Sequence, residues 1–301
     1  MSSSIFALDL QGHRGARGLL PENTLPAFER ALELGMTTLE LDCGVTRDGV
    51  VVVAHDRTLS PAFTRDAQGN WLEGAPPAIR DLTQAQLARY DVGRLKPGTA
   101  YAKRFPGQQP LDGTRIPTLA EVFELAAKRG AHGVRFNIET KLSPLAPDET
   151  APPDVFVAAL LAAIRKAGME SRVTIQSFDW RTLAIVQKVA PSIPTVYITA
   201  ESTSPRNIPT GASPSPWTAG HQLAAYGGSL PRMVKAAGGA VWSPYHGDLT
   251  QERLREAHAL GLKVVVWTVN AEADMQRIIA WGVDGIISDY PDRLAKAARS
   301  R

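Results

Sequence analysis

The chain has a single cysteine, Cys43, among 301 residues. No disulfide can therefore form within it, and the redox compartment is left open. No apolar run approaches the roughly 20 residues that a membrane-spanning helix needs, so stable membrane insertion is not expected. Neither sign of charge dominates, since 33 Lys and Arg face 30 Asp and Glu for a formal charge of +3. That surplus is small and scattered, which argues against nucleic-acid binding. The basic residues Arg293, Lys296, Arg299 and Arg301 read as a solvated helix end. The G-x-G-x-x-G turn of a dinucleotide-binding fold is missing, because Gly12, Gly15 and Gly18 are spaced G-x-x-G-x-x-G. No Cys–His spacing points to zinc, and no internal repeat or low-complexity tract is evident. The opening MSSSIFALDL has neither a basic n-region nor a long apolar h-region, so it is not a secretion signal as written. The expectation is a cytoplasmic protein, or a periplasmic one if a leader has been removed. The first strand is expected to begin almost at the initiator Met.

What the chain does have is alternation. Apolar residues make up 44% and charged residues 21%, as in ordinary globular proteins. Eight β-like runs (FALDLQGH, TTLELDCGV, VRFNIETKL, VTIQSFD, PTVYITA, AVWSPYH, KVVVWTVN and GIISDYP) are separated by amphipathic helical runs. In TLPAFERALELG, Leu25, Phe28, Ala31 and Leu32 fall at helical spacing and Gly35 is placed as a C-cap. Alternating βα units imply a parallel sheet, and about eight of them in one chain predict a (β/α)₈ barrel. A doubly wound open sheet is the alternative, and the missing glycine fingerprint counts against it. The chain is expected to be one domain. Residues 56–117 break the alternation and read as an insertion after the second strand, with a weak helix at DLTQAQLARY. Asp48-Gly49 between two β-branched runs predicts a hairpin. Residues 201–228 form a second long loop, rich in polar residues.

A barrel of this kind carries its active site at the carboxyl ends of its strands. Residues i and i+2 of a strand share a face. Glu40 and Asp42 therefore point one way, with Leu39 and Leu41 against the helices. Glu139 and Lys141 share a face opposite Ile138. Either pair alone reads equally well as an edge ion pair. Two such pairs on neighbouring strands, both framed by apolar residues, predict three convergent carboxylates. Such carboxylates repel and raise one another's pKa values unless a hard divalent cation, Mg²⁺ or Ca²⁺, lies between them. His13 ends the first strand, and His55 closes VVVVAHD, which should return it beside the second strand's end. Two imidazoles that titrate near neutrality can serve as general base and acid. Arg14 and Lys141 then supply fixed positive charge for a phosphate.

These residues also carry a resemblance. HRGARGLLPENTLPAF, TLELDCGVTRDGVVVVAHD, FNIETK, QSFD, VVWTVN and GIISDYPD resemble, in order from about residue 9 to about residue 294, the glycerophosphodiester phosphodiesterase family. The resemblance implies a (β/α)₈ barrel with a small insertion after the second strand. It implies hydrolysis of small-molecule glycerophosphodiesters to sn-glycerol 3-phosphate and an alcohol, with Mg²⁺ or Ca²⁺ as cofactor. By position it implies Glu40, Asp42 and Glu139 as metal ligands, His13 and His55 as the catalytic pair, and Arg14 and Lys141 as phosphate-holding groups. Glu22, Asn23, Gln176, Phe178 and Trp267 would line or brace the pocket. Glu22 and Asn23 could instead cap the first helix. Water and the glycerol 2-hydroxyl both remain open as nucleophile. A phospholipase-D-like or phosphoinositide-cleaving barrel is the rival reading, and it would need an apolar, membrane-facing rim.

Overall fold

The computed structural model describes residues 8–209 and 214–299. Phe6 and Ala7 of the expected first strand, and with them its predicted start near the initiator Met, lie outside the described residues, as does Arg301 of the basic tail. Eight parallel strands close into a barrel with helices between them: β1 (Asp9–Gly12), β2 (Thr38–Val45), β4 (Arg135–Thr140), β5 (Val173–Ser177), β6 (Thr195–Thr199), β7 (Val241–Pro244), β8 (Lys263–Val266) and β9 (Gly285–Ser288). The circle is completed by β1, which pairs with both β2 and β9. β3 (Val51–Val53) turns back antiparallel on β2 after Asp48-Gly49, the expected hairpin. No helix among the described residues is long and apolar enough to cross a membrane.

Alternation along the strands separates two environments. Leu39, Leu41, Cys43, Phe136 and Ile138 face the helices and join the main apolar core. The opposite face of β2 and β4 points into the barrel, where the register sets Glu40 beside Asn137 and Asp42 beside Glu139. The interior is itself divided. Val196, Val241, Val265 and Ile287 of β6 to β9 form an apolar layer. The half lined by β1, β2, β4 and β5 is polar.

Several of the helices that cover the barrel start with side-chain caps. α1 (Leu25–Glu33) begins at Thr24, whose Oγ1 accepts the Ala27 N–H, and it ends before Gly35 at φ +80°. α4 (Leu119–Lys128) begins with a capping box of Thr118 and Glu121. α6 (Trp180–Val189) buries Trp180 edge-on against Tyr197, with ring centroids 4.7 Å apart. Trp180→Ala should therefore cost about 3–5 kcal/mol in urea denaturation. A loss below about 1 kcal/mol would show that the site can collapse around the missing ring.

Residues 56–117 fold against the barrel through a small core in which Leu59, Ile79 and Leu87 meet Val52 of β3. The helix expected at DLTQAQLARY is only α2 (Gln84–Leu87), started by a Thr83–Gln86 capping box. α3 (Ala100–Arg104), capped by Thr99, went unforeseen, because five residues are too few to display a helical period.

Candidate active site

The turn after β1 is compressed against the start of α1. Gly15 lies at φ +82°, and a Cβ there would sit 2.6 Å from the Ala27 carbonyl carbon. Arg14 and Asn23 also adopt positive φ, 51° and 54°, which is costly for non-glycine residues. The strained loop delivers His13 and Arg14 to the strand ends. Asn23 does not cap α1, because Thr24 does. Its side chain instead clamps Asp42, with Nδ2 donating to Oδ2 at 2.9 Å. Glu22 is no cap partner either. Its carboxylate accepts Arg14 Nη1 at 2.7 Å and the Tyr101 hydroxyl from α3, and it lies 3.3 Å from Arg17 Nε.

Glu40, Asp42 and Glu139 converge, each buried, with one oxygen from each within 4.8 Å of the others. Glu40 accepts the Arg14 backbone N–H at 2.9 Å and Gln176 Nε2 at 2.7 Å. Lys141 Nζ lies 2.7 Å from Glu139 Oε1 and 3.6 Å from Asp42 Oδ1. Asp42 is also 3.1 Å from Arg14 Nε. The three carboxylates do not behave alike, which corrects the expectation of mutual elevation. Burial, then Asp42 and Glu139, push the Glu40 pKa well up. Burial pushes Glu139 up to about 7, although Lys141 opposes it. Burial also acts to raise Asp42, but Arg14, His55 and Lys141 outweigh it and hold Asp42 low. Asp42 Oδ1 is buried with no hydrogen-bond partner. An orphaned carboxylate oxygen beside two further carboxylates is a donor set that fits a hard divalent cation.

His13 and His55 flank this cluster. β3 returns along β2, with Ala54 N–H on Asp42 O at 2.9 Å, and so brings His55 to the site as expected. His13 Nδ1 lies 2.6 Å from Asp289 Oδ1, and its Nε2 is 3.9 Å from Glu40 Oε2. His55 Nδ1 lies 2.7 Å from Asp56 Oδ1. Asp289 is held low because His13 and Arg17 outweigh the burial that raises it. Burial acts to raise Asp56, but its hydrogen bond to His55 and the charges of His55, Arg14 and Lys141 together bring it down to about 2. Both carboxylates can therefore only accept. Each imidazole must donate from Nδ1, which leaves its Nε2 lone pair free. Both rings are shifted down from the ordinary imidazole range. Burial lowers His13, and burial with Arg14 and Lys141 lowers His55 to about 4. The shift favours the neutral form of both rings.

Sequence reasoning passed over Asp56, Asp289 and Arg17. Their signals were the Asp of AHD, the Asp of ISDYP and the second Arg of HRGARG. Asn270 donates Nδ2 to Asp289 Oδ2 at 2.7 Å, and its Oδ1 accepts the Asp289 N–H at 3.0 Å. That is an orienting contact sequence reasoning had no means to see.

These groups open into a cavity of about 640 Å³ at the carboxyl ends of the strands. His13, Arg14, Glu22, Glu40, His55, Glu139, Lys141, Gln176, Phe178 and Trp267 all line it. Asn23 does not, and its place is behind Asp42. One wall is apolar: Phe178 and Trp267 meet edge to face at 5.3 Å, with Trp217 and Ile198 beside them. The other wall is polar and comes from the insertion and the loop after β4. It presents Tyr101, Arg104 and the Arg57–Glu149 ion pair at 2.6 Å.

The profile of the glycerophosphoryl diester phosphodiesterase family matches residues 13–293. A glycerophosphodiester phosphodiesterase of Caldanaerobacter subterraneus is 32% identical over 95% of this chain and 96% of its own. A crystal structure from Silicibacter pomeroyi, provisionally assigned as a glycerophosphoryl diester phosphodiesterase, is 38% identical. It superposes with a TM-score of 0.85 over 98% of this chain and 94% of its own. An Oleispira antarctica phosphodiesterase, solved in complex with the product sn-glycerol-3-phosphate, is 21% identical. It shares the fold at a TM-score of 0.70 over 98% of both chains.

Proposed function

Because the chain belongs to the glycerophosphoryl diester phosphodiesterase family and is an enzyme of that class, we propose that it hydrolyses small glycerophosphodiesters to sn-glycerol 3-phosphate and an alcohol. In this reading Glu40, Asp42 and Glu139 hold one Mg²⁺ or Ca²⁺, and His13 and His55 act as the acid–base pair. The observation that carries it is the buried carboxylate triad, with its orphaned Asp42 oxygen, set between two imidazoles that are each pinned at Nδ1.

A divalent cation bound there supplies charge neutralisation to the phosphodiester. Arg14 and Lys141 add fixed positive charge, Arg14 through its planar fork and Lys141 as a point charge. Both stay protonated, since nearby carboxylates outweigh the burial that would discharge them. One neutral histidine accepts a proton from the nucleophile at Nε2. The other must carry a proton to the leaving alkoxide, and an anionic phosphodiester between the rings favours that protonation. Asp289 and Asp56 fix which nitrogen of each ring faces the substrate. Phe178 and Trp267 offer an apolar face to the glycerol carbons. The charged rim of Arg57, Glu149 and Arg104 favours a polar head group over a lipid surface.

The test is turnover of glycerophosphocholine, followed as glycerol 3-phosphate release with a coupled dehydrogenase. Stripping divalent cations with a chelator should abolish turnover, and added Mg²⁺ or Ca²⁺ should restore it. Full activity in excess chelator, or no glycerol 3-phosphate from any of several glycerophosphodiesters, would overturn the reading.

A further inference from the structure

A continuous run of hydrogen bonds crosses the polar half of the barrel interior, from the amino ends of the strands to Glu40. Asp9 Oδ2 accepts Gln11 Nε2 at 2.9 Å. Gln11 Oε1 accepts Asn137 Nδ2 at 3.0 Å, and the same amide group donates to Gln176 Oε1 at 2.9 Å. Gln176 Nε2 then donates to Glu40 Oε1 at 2.7 Å. The Thr174 hydroxyl donates to Asn137 Oδ1 at 2.9 Å. Gln11, Asn137 and Gln176 are 3, 1 and 2% exposed, so a reversed amide would leave buried groups mispaired.

A primary amide can be turned end for end, so some group must set the sense of such a chain. Asp9 is suited to do so. It pairs with Arg135 at 2.8 Å and accepts the Thr37 and Thr38 hydroxyls at 2.7 Å each. A carboxylate used in this way offers only acceptors. Gln11 must then present its NH₂ to Asp9 and its oxygen to Asn137. Asn137 must present its NH₂ to both glutamines, which leaves Gln176 with its NH₂ toward Glu40. Without Asn137, Gln176 could turn and aim its carbonyl at the carboxylate.

We propose that Asn137 is a positioning residue for the cation site, acting through Gln176 to hold the Glu40 carboxyl group correctly aimed. This rests on the reading above, in which Glu40 is a cation ligand. Asn137 does not line the cavity at the carboxyl ends of the strands, so its effect should appear in cation affinity before any substrate is present.

The test is calorimetric titration of chelator-stripped protein with Ca²⁺ and with Mg²⁺ alone. Asn137→Leu and Gln176→Leu should each weaken binding by about 10-fold, the lower end of the effect of groups that orient metal ligands. The double variant should be no weaker than Gln176→Leu, because Asn137 acts only through that amide. Two independent structural lesions would instead multiply to about 100-fold. Binding within twofold of wild type for Asn137→Leu, or multiplying losses in the double variant, would overturn the proposal. If Asn137→Leu does not fold, Thr174→Val removes one rung of the same chain and should weaken binding in the same direction. No change in it would count equally against the proposal. Glu40→Gln tests the premise separately. Wild-type cation binding in that variant would remove Glu40 as a ligand, whatever Asn137 does.

Discussion

Asp42→Asn is expected to lower kcat/KM by at least about 10³-fold, or about 4 kcal/mol of transition-state stabilisation. The substitution keeps the shape of the side chain and removes its charge. Asp42 is fully buried, lies 3.1 Å from Arg14 Nε and 3.6 Å from Lys141 Nζ, and accepts Asn23 Nδ2 at 2.9 Å. An amide there must set its own NH₂ against a donor or into the cation position. It also leaves two buried cations short of a counter-charge. Three consequences should appear together: loss of turnover, loss of Ca²⁺ or Mg²⁺ binding by calorimetry, and a lower melting temperature for the metal-free protein. The first two separate a site lesion from simple unfolding when measured below the melting transition. A variant that keeps more than a tenth of wild-type kcat/KM would mean that this carboxylate is not part of the catalytic centre.

His13→Ala should cost at least about 10²-fold in kcat, and His55→Ala a similar factor, the usual contribution of a positioned acid or base. The two rings are not equally constrained. His13 is held through Asp289, which is completely buried and itself clamped by Asn270. His55 is held by Asp56, which is 44% exposed at its side chain. Asp289→Asn should consequently lower kcat with little change in KM, because an amide can stabilise the wrong tautomer while leaving the binding groups in place. Asp56→Asn should do less, since solvent can replace its partner. Near wild-type kcat for either histidine variant would remove the acid–base assignment and leave only the cation and the two basic residues to carry the reaction.

Much of this was legible in the residues alone. The eight β-like runs all became barrel strands, because their apolar alternation can be buried only against a ring of helices. Glu40, Asp42 and Glu139 were readable for the same reason. A charged residue inside an apolar frame must face something other than the helices, and two adjacent strands carried such residues at matching positions. Short-range chemistry was less transparent. Asn23 and Glu22 follow a proline and precede a helix, so capping was a natural reading. Only the positive φ of Asn23 turns its amide onto Asp42, and Thr24 takes the cap. Asp56 and Asp289 stood next to or far from their histidines with nothing in spacing to distinguish them from surface carboxylates. The short α3 left no periodic trace, yet it delivers Tyr101 to Glu22.

The order of the strands and the placement of three acids and two histidines at their carboxyl ends followed from the linear pattern, because side-chain alternation is a local property of extended backbone. The charge states did not. Burial pushes Glu139 up and His55 down, while the cations around Asp42 override burial there, and those balances depend on distances between residues remote in the chain. The same holds for the amide orientations linking Asp9 to Glu40. Each link is chemically reversible by itself, and only closure of the barrel brings the groups together so that one sense satisfies them all.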